Sequence, residues 1–237
     1  MKQIWFLFQV LLLAILCSCS SQSEISKTRL TTGYYKTKKP QGIPEKRYVL
    51  IKTDTIWTYP VNRADNRVPD TSRTSLIAFP KESEKSPVGK YTFKKQTWDF
   101  NFQTIIFKFR PETAGFPNQL NTEYNLNLYF GRRTDSYKIS YQANPLEFNK
   151  RKISHIGYSF GIFTGLGETP VSGNVTRNQI NYVYEGVVWL NGVSATVGNN
   201  HFTLGLGFGI DQLLDVNRDF WIYERKPWVG LQVGIKL

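Results

Sequence analysis

Few side chains in this 237-residue chain could do chemistry, and their spacing limits what that chemistry is. There are two histidines, His155 and His201. Neither lies near a cysteine, and no His-x-His or His-x-x-x-His pair occurs, so no metal centre is expected. No Gly-x-Ser-x-Gly elbow is present. The run Gly205-Leu206-Gly207-Phe208-Gly209 alternates as a strand does and lacks the strand-to-helix setting of a nucleotide loop. One arrangement resembles a nucleophile and its base: His201 and Thr203 two residues apart, with Asp211 on the same face eight residues further. Eight strand residues span about 26 Å, so Asp211 cannot orient His201 along one strand. A carboxylate from another strand, such as Glu185, would be required. No catalytic residue and no cofactor is assigned on this basis, and a lipid-modifying hydrolase is the least supported reading.

The two cysteines carry different chemistry. Met1-Lys2 is a basic start, Ile4 to Leu16 is an apolar run broken by Gln9, and Leu16-Cys17-Ser18-Cys19 follows. A charged start, a short apolar stretch and a small residue before a cysteine read as a secretory signal. The stretch is shorter than the roughly 20 apolar residues of a spanning helix. It resembles a bacterial lipoprotein signal, with Leu16 at −3, Ser18 at −1 and Cys19 as the first mature residue. Residues 1–18 are the expected signal peptide and Cys19 the expected lipid anchor. Cleavage removes Cys17 and acylation occupies Cys19, leaving no thiol for a disulfide.

Charge divides the remaining chain. The formal net charge is +12, and it is concentrated early. Ser26 to Lys95 holds 16 basic and 6 acidic residues, whereas Gln96 to Leu237 holds 13 and 11. The basic part suits contact with outer-membrane lipid, an anionic glycolipid or an acidic envelope polymer. An exported lipoprotein rarely meets nucleic acid, so that partner is not expected. Residues 19–47 mix Ser, Thr, Gly, Pro and Lys without a period of 2 or 3.6, and are expected to form a flexible basic tether. Residues 48–90 contain the alternation Val49, Ile51, Thr53, Thr55, Trp57 and the apolar stretch Ser75 to Phe79, and form a small β-rich arm or cap. The charged segment 81–89 is a boundary.

From Tyr91 the pattern becomes long dyads. Trp98, Phe100 and Phe102 alternate with Asp99, Asn101 and Gln103, and the phase slips by one near Thr104–Ile105, as a β-bulge requires. The clearest dyad sets Phe202, Leu204, Leu206, Phe208 and Ile210 against Thr203 and three glycines. The fold class is therefore all-β, an antiparallel up-and-down barrel of about eight strands over residues 91–237, preceded by an extended arm. Several strands reach the roughly 9–11 residues that cross a bilayer at a tilt. Glycines on the opposite face from the large side chains suit a narrow interior. Trp98, Tyr124, Trp189, Trp221, Tyr223 and Trp228 lie near strand ends, where an aromatic girdle is expected.

The stretches Phe107-Lys108-Phe109-Arg110-Pro111, Gly115-Phe116-Pro117-Asn118-Gln119-Leu120-Asn121 and Lys226-Pro227-Trp228-Val229-Gly230 resemble uncharacterised outer-membrane β-barrel-like proteins of Bacteroidota. The resemblance covers about residues 91–237 and implies architecture and location, with no functional residue to carry over. The expected protein is a lipid-anchored outer-membrane barrel with a structural or binding role and no enzymatic activity. The alternative is a periplasmic lipoprotein whose soluble calyx holds an apolar ligand. The two differ in which face of each strand points outward, and alternation alone does not say which.

Overall fold

The computed structural model describes residues 30–38, 44–52, 55–61, 68–73, 75–78, 91–142, 150–199 and 202–235. The expected signal segment 1–18, Cys19, the expected boundary at 81–89 and His201 lie outside them. The described chain is all-β. Its strands are β1 (Gly33–Lys38), β2 (Glu45–Lys52), β3 (Thr55–Pro60), β4 (Ser75–Ala78), β5 (Tyr91–Arg110), β6 (Gln119–Asn121), β7 (Asn125–Gln142), β8 (Lys150–Val171), β9 (Tyr184–Gly198), β10 (Phe202–Leu213) and β11 (Pro227–Ile235). Ten of them pair antiparallel in one sheet of order β11-β10-β9-β8-β7-β5-β1-β2-β3-β4, and β6 pairs antiparallel with β5 off this path. Strand β11 also pairs with β5, which closes β5, β7, β8, β9, β10 and β11 into a ring.

The expected up-and-down barrel is thus present. Its anticipated count of about eight strands falls between the six of the ring and the 11 of the whole sheet. The reason is strand length. The runs around Tyr124–Phe130 and Tyr137–Tyr141 belong to one 18-residue strand, β7, and β5 and β8 reach 20 and 22 residues. No strand lies between β10 and β11; residues Arg218–Phe220 in that connection form a 3-10 turn.

Strand β5 organises the sheet because its two halves have different neighbours. Phe102 to Phe109 pairs with β11, while Thr92 to Lys94 pairs with β1. The ring therefore ends partway up β5, and β1–β4 continue the sheet from the same edge. This changes the reading of the N-terminal part. Gly33–Lys38, expected within a flexible tether, is a strand with partners on both sides, and through it the arm joins the barrel sheet. Its period is hard to see in the sequence because the strand is only six residues long and sets one tyrosine on each face, Tyr34 exposed and Tyr35 buried.

The phase slip is a bulge at Ile106. Leu231 faces Phe107 and Gln232 faces Ile105, so Ile106 is extra and both it and Phe107 point outward. The β5–β7 ladder stops at Gln103–Asn127, and the Asn125 side chain completes the hydrogen bonding beyond it. Its Oδ1 accepts from the Ile105 amide at 2.8 Å and its Nδ2 donates to the Ile105 carbonyl at 2.8 Å. Backbone groups freed at the bulge are thereby paired.

Glycines do line the inside, as expected. Gly209 stands opposite Trp228 on β11 and Gly192 on β9. A Cβ there would lie 2.6 Å from Trp228 Cζ2 and 2.8 Å from the Asn191 carbonyl oxygen. The walls leave no room for a methyl group. Gly209→Ala is expected to lower stability by roughly 1–3 kcal/mol, the usual cost of overpacking, read as a lower denaturant midpoint of the refolded barrel in micelles. An unchanged midpoint would contradict the close approach.

Candidate functional site

The site is built from the two faces of the ring, so the side each residue takes decides what the molecule can do. The large apolar side chains point away from the interior. Trp98, Phe100, Phe102, Phe107 and Phe109 on β5, Leu126, Leu128 and Phe130 on β7, and Ile156, Tyr158, Phe160, Ile162 and Leu166 on β8 are all exposed. So are Val187, Trp189, Val193 and Val197 on β9, Phe202, Leu204, Leu206, Phe208 and Ile210 on β10, and Val229 on β11. Soluble monomers rarely expose apolar patches beyond a few hundred Å², and this one encircles the ring. Polar groups within the belt are satisfied by the protein itself. The Trp189 indole donates to Thr164 Oγ1 at 2.8 Å, Thr164 donates to Asn191 Oδ1 at 2.9 Å, and the Thr104 hydroxyl donates to the Asn125 carbonyl at 2.9 Å.

Aromatics mark the margins of the belt. At one end Trp98, 63% exposed, stacks on Phe130 at 5.0 Å, with the Arg132 guanidinium 4.4 Å from its ring. At the other lie Tyr124, 83% exposed, and Trp189. Three members of the expected girdle are elsewhere: Trp221, Tyr223 and Trp228 are buried inside the barrel. Dyad position put Trp228 at a strand end, but its phase turns it inward, and Trp221 and Tyr223 lie in the β10–β11 connection that folds over the barrel mouth.

Those three rings cover a buried ionic cluster. Lys108 Nζ sits 2.8 Å from Glu123 Oε2 and 3.0 Å from Asp211 Oδ2. Arg110 Nη2 reaches Asp211 Oδ2 at 2.6 Å and Glu123 at 3.2 Å. The four side chains are at most 2% exposed, and two cations balance two carboxylates. Remaining acceptor capacity is filled: Trp228 donates to Asp211 Oδ1 at 2.7 Å and Thr169 to Glu123 Oε1 at 2.8 Å. Arg110 lies 5.0 Å from the Tyr223 ring and 5.4 Å from Trp221, and Lys108 5.1 Å from Trp228. Burial pushes the Glu123 carboxyl up, but the charges of Arg110 and Lys108 outweigh it and hold the group below its ordinary value.

A second cluster occupies the opposite end. Arg133 Nε is 2.8 Å from Asp135 Oδ1 and its Nη1 3.6 Å from Asp99 Oδ2. Its Nη2 also donates to the Asn199 carbonyl at 3.3 Å, tying the β9–β10 turn to the interior. His155 Nε2 is 2.8 Å from Asp135 Oδ1, and the ring stacks on Tyr137 at 4.5 Å. The rest of the interior mixes polar and apolar side chains, with Ile105, Phe163, Val188, Leu190 and Leu213 buried against Trp228. Tyr129 and Ser159 share a hydrogen bond of 2.6 Å, Ser194 donates to Gln232 Oε1 at 2.6 Å, and Asn101, Gln103 and Asn127 are buried.

The described residues of the hydrolase reading are not brought together. Asp211 belongs to the ionic cluster, Thr203 is buried and donates to the Gly234 carbonyl at 3.2 Å, and Glu185 is exposed on the outer side of β9. The residues that sequence reasoning missed are Lys108, Arg110 and Glu123. A signal was there: two basic residues in the phase opposite Phe107 and Phe109 cannot lie on the apolar outer face. Finding their partners needed the ring, because Asp211 is on the far side of β11. No protein-family model matches this chain, and no curated protein or solved structure matches it either.

A carboxyl held below its ordinary value of 4.5 contributes stability above that value, and the contribution is lost as pH falls through the lower folded value. Glu123→Gln removes this dependence and also leaves a buried cation short of its partner, at a cost of roughly 3–5 kcal/mol. Denaturant midpoints measured from neutral to acid pH should therefore fall less steeply in the variant and start lower. Parallel acid profiles would contradict the assignment.

Proposed function

We propose that this protein is a lipid-anchored outer-membrane β-barrel, with Cys19 as its acylated residue and a structural or binding role in the bacterial envelope. The observation that carries the reading is the inversion of the ring, with an apolar belt outside and ionic clusters within. Hydrocarbon accepts the belt. A closed ring also leaves no backbone edge unpaired in a medium that offers no hydrogen bonds. The outward apolar runs from Ile156 to Leu166, from Val187 to Val197 and from Phe202 to Ile210 match the about 9–11 residues of a tilted spanning strand. The aromatic pairs at the margins suit the headgroup level.

The reading is non-enzymatic, and it is not that of a pore. A barrel of eight strands already has an interior filled by side chains, and a six-stranded ring is narrower. The alternative, a soluble calyx around an apolar ligand, requires large apolar side chains facing a cavity. The inward positions here are polar residues, glycines and a smaller apolar group packed around Trp228, while the larger number of big apolar side chains points outward, which speaks for the membrane.

The test separates the barrel from its anchor. A Cys19→Ala variant carrying an ordinary cleavable signal is expected to stay in the membrane pellet after an alkaline wash, and to migrate differently on a gel when unboiled. Release by the wash, with one migration position, would overturn the spanning reading.

A further inference from the structure

Beyond the belt, β5, β7 and β8 extend past the ring, and β1 and β2 pair alongside β5. The outer face of this extension forms a groove of about 900 Å³. Lysines from four strands meet there: Lys46 on β2 lies opposite Lys36 on β1, Lys36 lies opposite Lys94 on β5, and Lys138 on β7 lies opposite the neighbouring Thr92. No acidic side chain lines the groove among the described residues. Like charges set directly opposite on adjacent strands repel, and an anion seated among them offsets that cost. Hydroxyls of Thr92, Thr134 and Ser136 add hydrogen-bonding groups between the lysines. The other wall is apolar: Ile156 and Tyr158 line the groove and are also the first members of the belt on β8, followed by Phe160 and Ile162.

Charge and apolar surface are therefore stacked along the direction in which a lipid lies in a bilayer. We propose that this groove binds a membrane lipid with an anionic headgroup, the phosphate held by Lys36, Lys94 and Lys138 at the level of Ile156 and the acyl chain laid from Tyr158 along Phe160 and Ile162. The inference rests on the spanning reading, which puts the aromatic margin at Trp98 and Tyr158 level with the headgroups. A soluble acidic polymer would find the lysines but would have no use for the continuous apolar wall below them. A free phosphate would be equally indifferent to that wall. Near an anionic surface each lysine contributes about fivefold in affinity.

The experiment uses the full chain, purified in micelles of a neutral detergent and titrated with phosphatidylglycerol or phosphatidylcholine, with retained lipid read by native mass spectrometry. The wild-type protein is expected to retain phosphatidylglycerol in preference to phosphatidylcholine. The triple variant Lys36→Gln/Lys94→Gln/Lys138→Gln should lose that preference by roughly fivefold per lysine. Lys226→Gln, an exposed change in the β10–β11 connection, should keep it. Equal retention of both lipids by the wild type, or equal preference in the triple variant, would overturn the proposal. So would displacement of the lipid by inorganic phosphate at equimolar concentration, which would identify a free-anion site instead. All three lysines are exposed, so the unboiled gel shift and the alkaline pelleting should survive in the triple variant. Loss of those two properties in the wild type would mean that the spanning reading had failed. Their retention without lipid preference would mean that only the groove proposal had failed.

Discussion

Closure of β5 against β11 sets the terms for everything else in the ring. Six strands enclose little space, so every second residue must be small, flat against the wall, or matched to a partner across the barrel. Gly205, Gly207 and Gly209 on β10 face inward, where a Cβ meets the side chains of Thr196, Gln232 and Trp228. Closure also removes the edges that an open sheet would present to other chains. The large side chains of the same strands then have only one side left, and it is the outside.

Two ionic clusters stand at the ends of this narrow interior. Taking charges out of water is costly, and a buried pair offsets that cost only with good geometry and all remaining polar groups bonded. The Lys108–Arg110–Glu123–Asp211 group meets it in part: its charges balance and Trp228 and Thr169 supply further donors, while Arg110 Nε and Nη1 have no hydrogen-bond partner and Arg110 instead lies over the rings of Trp221 and Tyr223. The group links β5 to β10 across β11 and joins both to the segment leading into β7. The Arg133–Asp135–His155 group does similar work between β7 and β8 and holds the β9–β10 turn. A buried ionic group of this kind is weak evidence of net stability, because apolar side chains of similar volume often serve as well.

The extension above the ring follows a different logic. There the inner face is aromatic and aliphatic, with Tyr35 against Phe93 at 6.1 Å and against Tyr137 at 6.3 Å, and with Val49 and Ile139 buried. The outer face carries the lysines. Apolar side chains thus face outward around the ring and inward in the extension, although β5 and β7 run through both without a break. The change falls near Lys95–Trp98 on β5 and Arg132–Arg133 on β7, the level at which the aromatic margin sits. The proposed passage from hydrocarbon to headgroup and water accounts for such a switch along one strand.

The amino-acid sequence by itself determined the all-β class, the long dyads from Tyr91 onward, the placing of glycines on the face opposite the large side chains and the slip of phase near Ile105. Each of these depends only on the two-residue period of a strand and on side-chain size. It did not yield the strand count, because a strand that passes from one environment to another looks like two short ones, as β7 does. Nor did it yield β1, a six-residue strand with one tyrosine on each face, or the inward phase of Trp228. What only the tertiary structure decided is which face is the outside and which charges meet. Alternation is symmetric with respect to the two faces, and the partners Arg110 and Asp211 are 101 residues apart in the chain. Ring closure breaks that symmetry, since a six-stranded interior filled by glycines, polar groups and a few apolar side chains such as Phe163, Leu190 and Leu213 has no room for the whole row of large side chains on the opposite face.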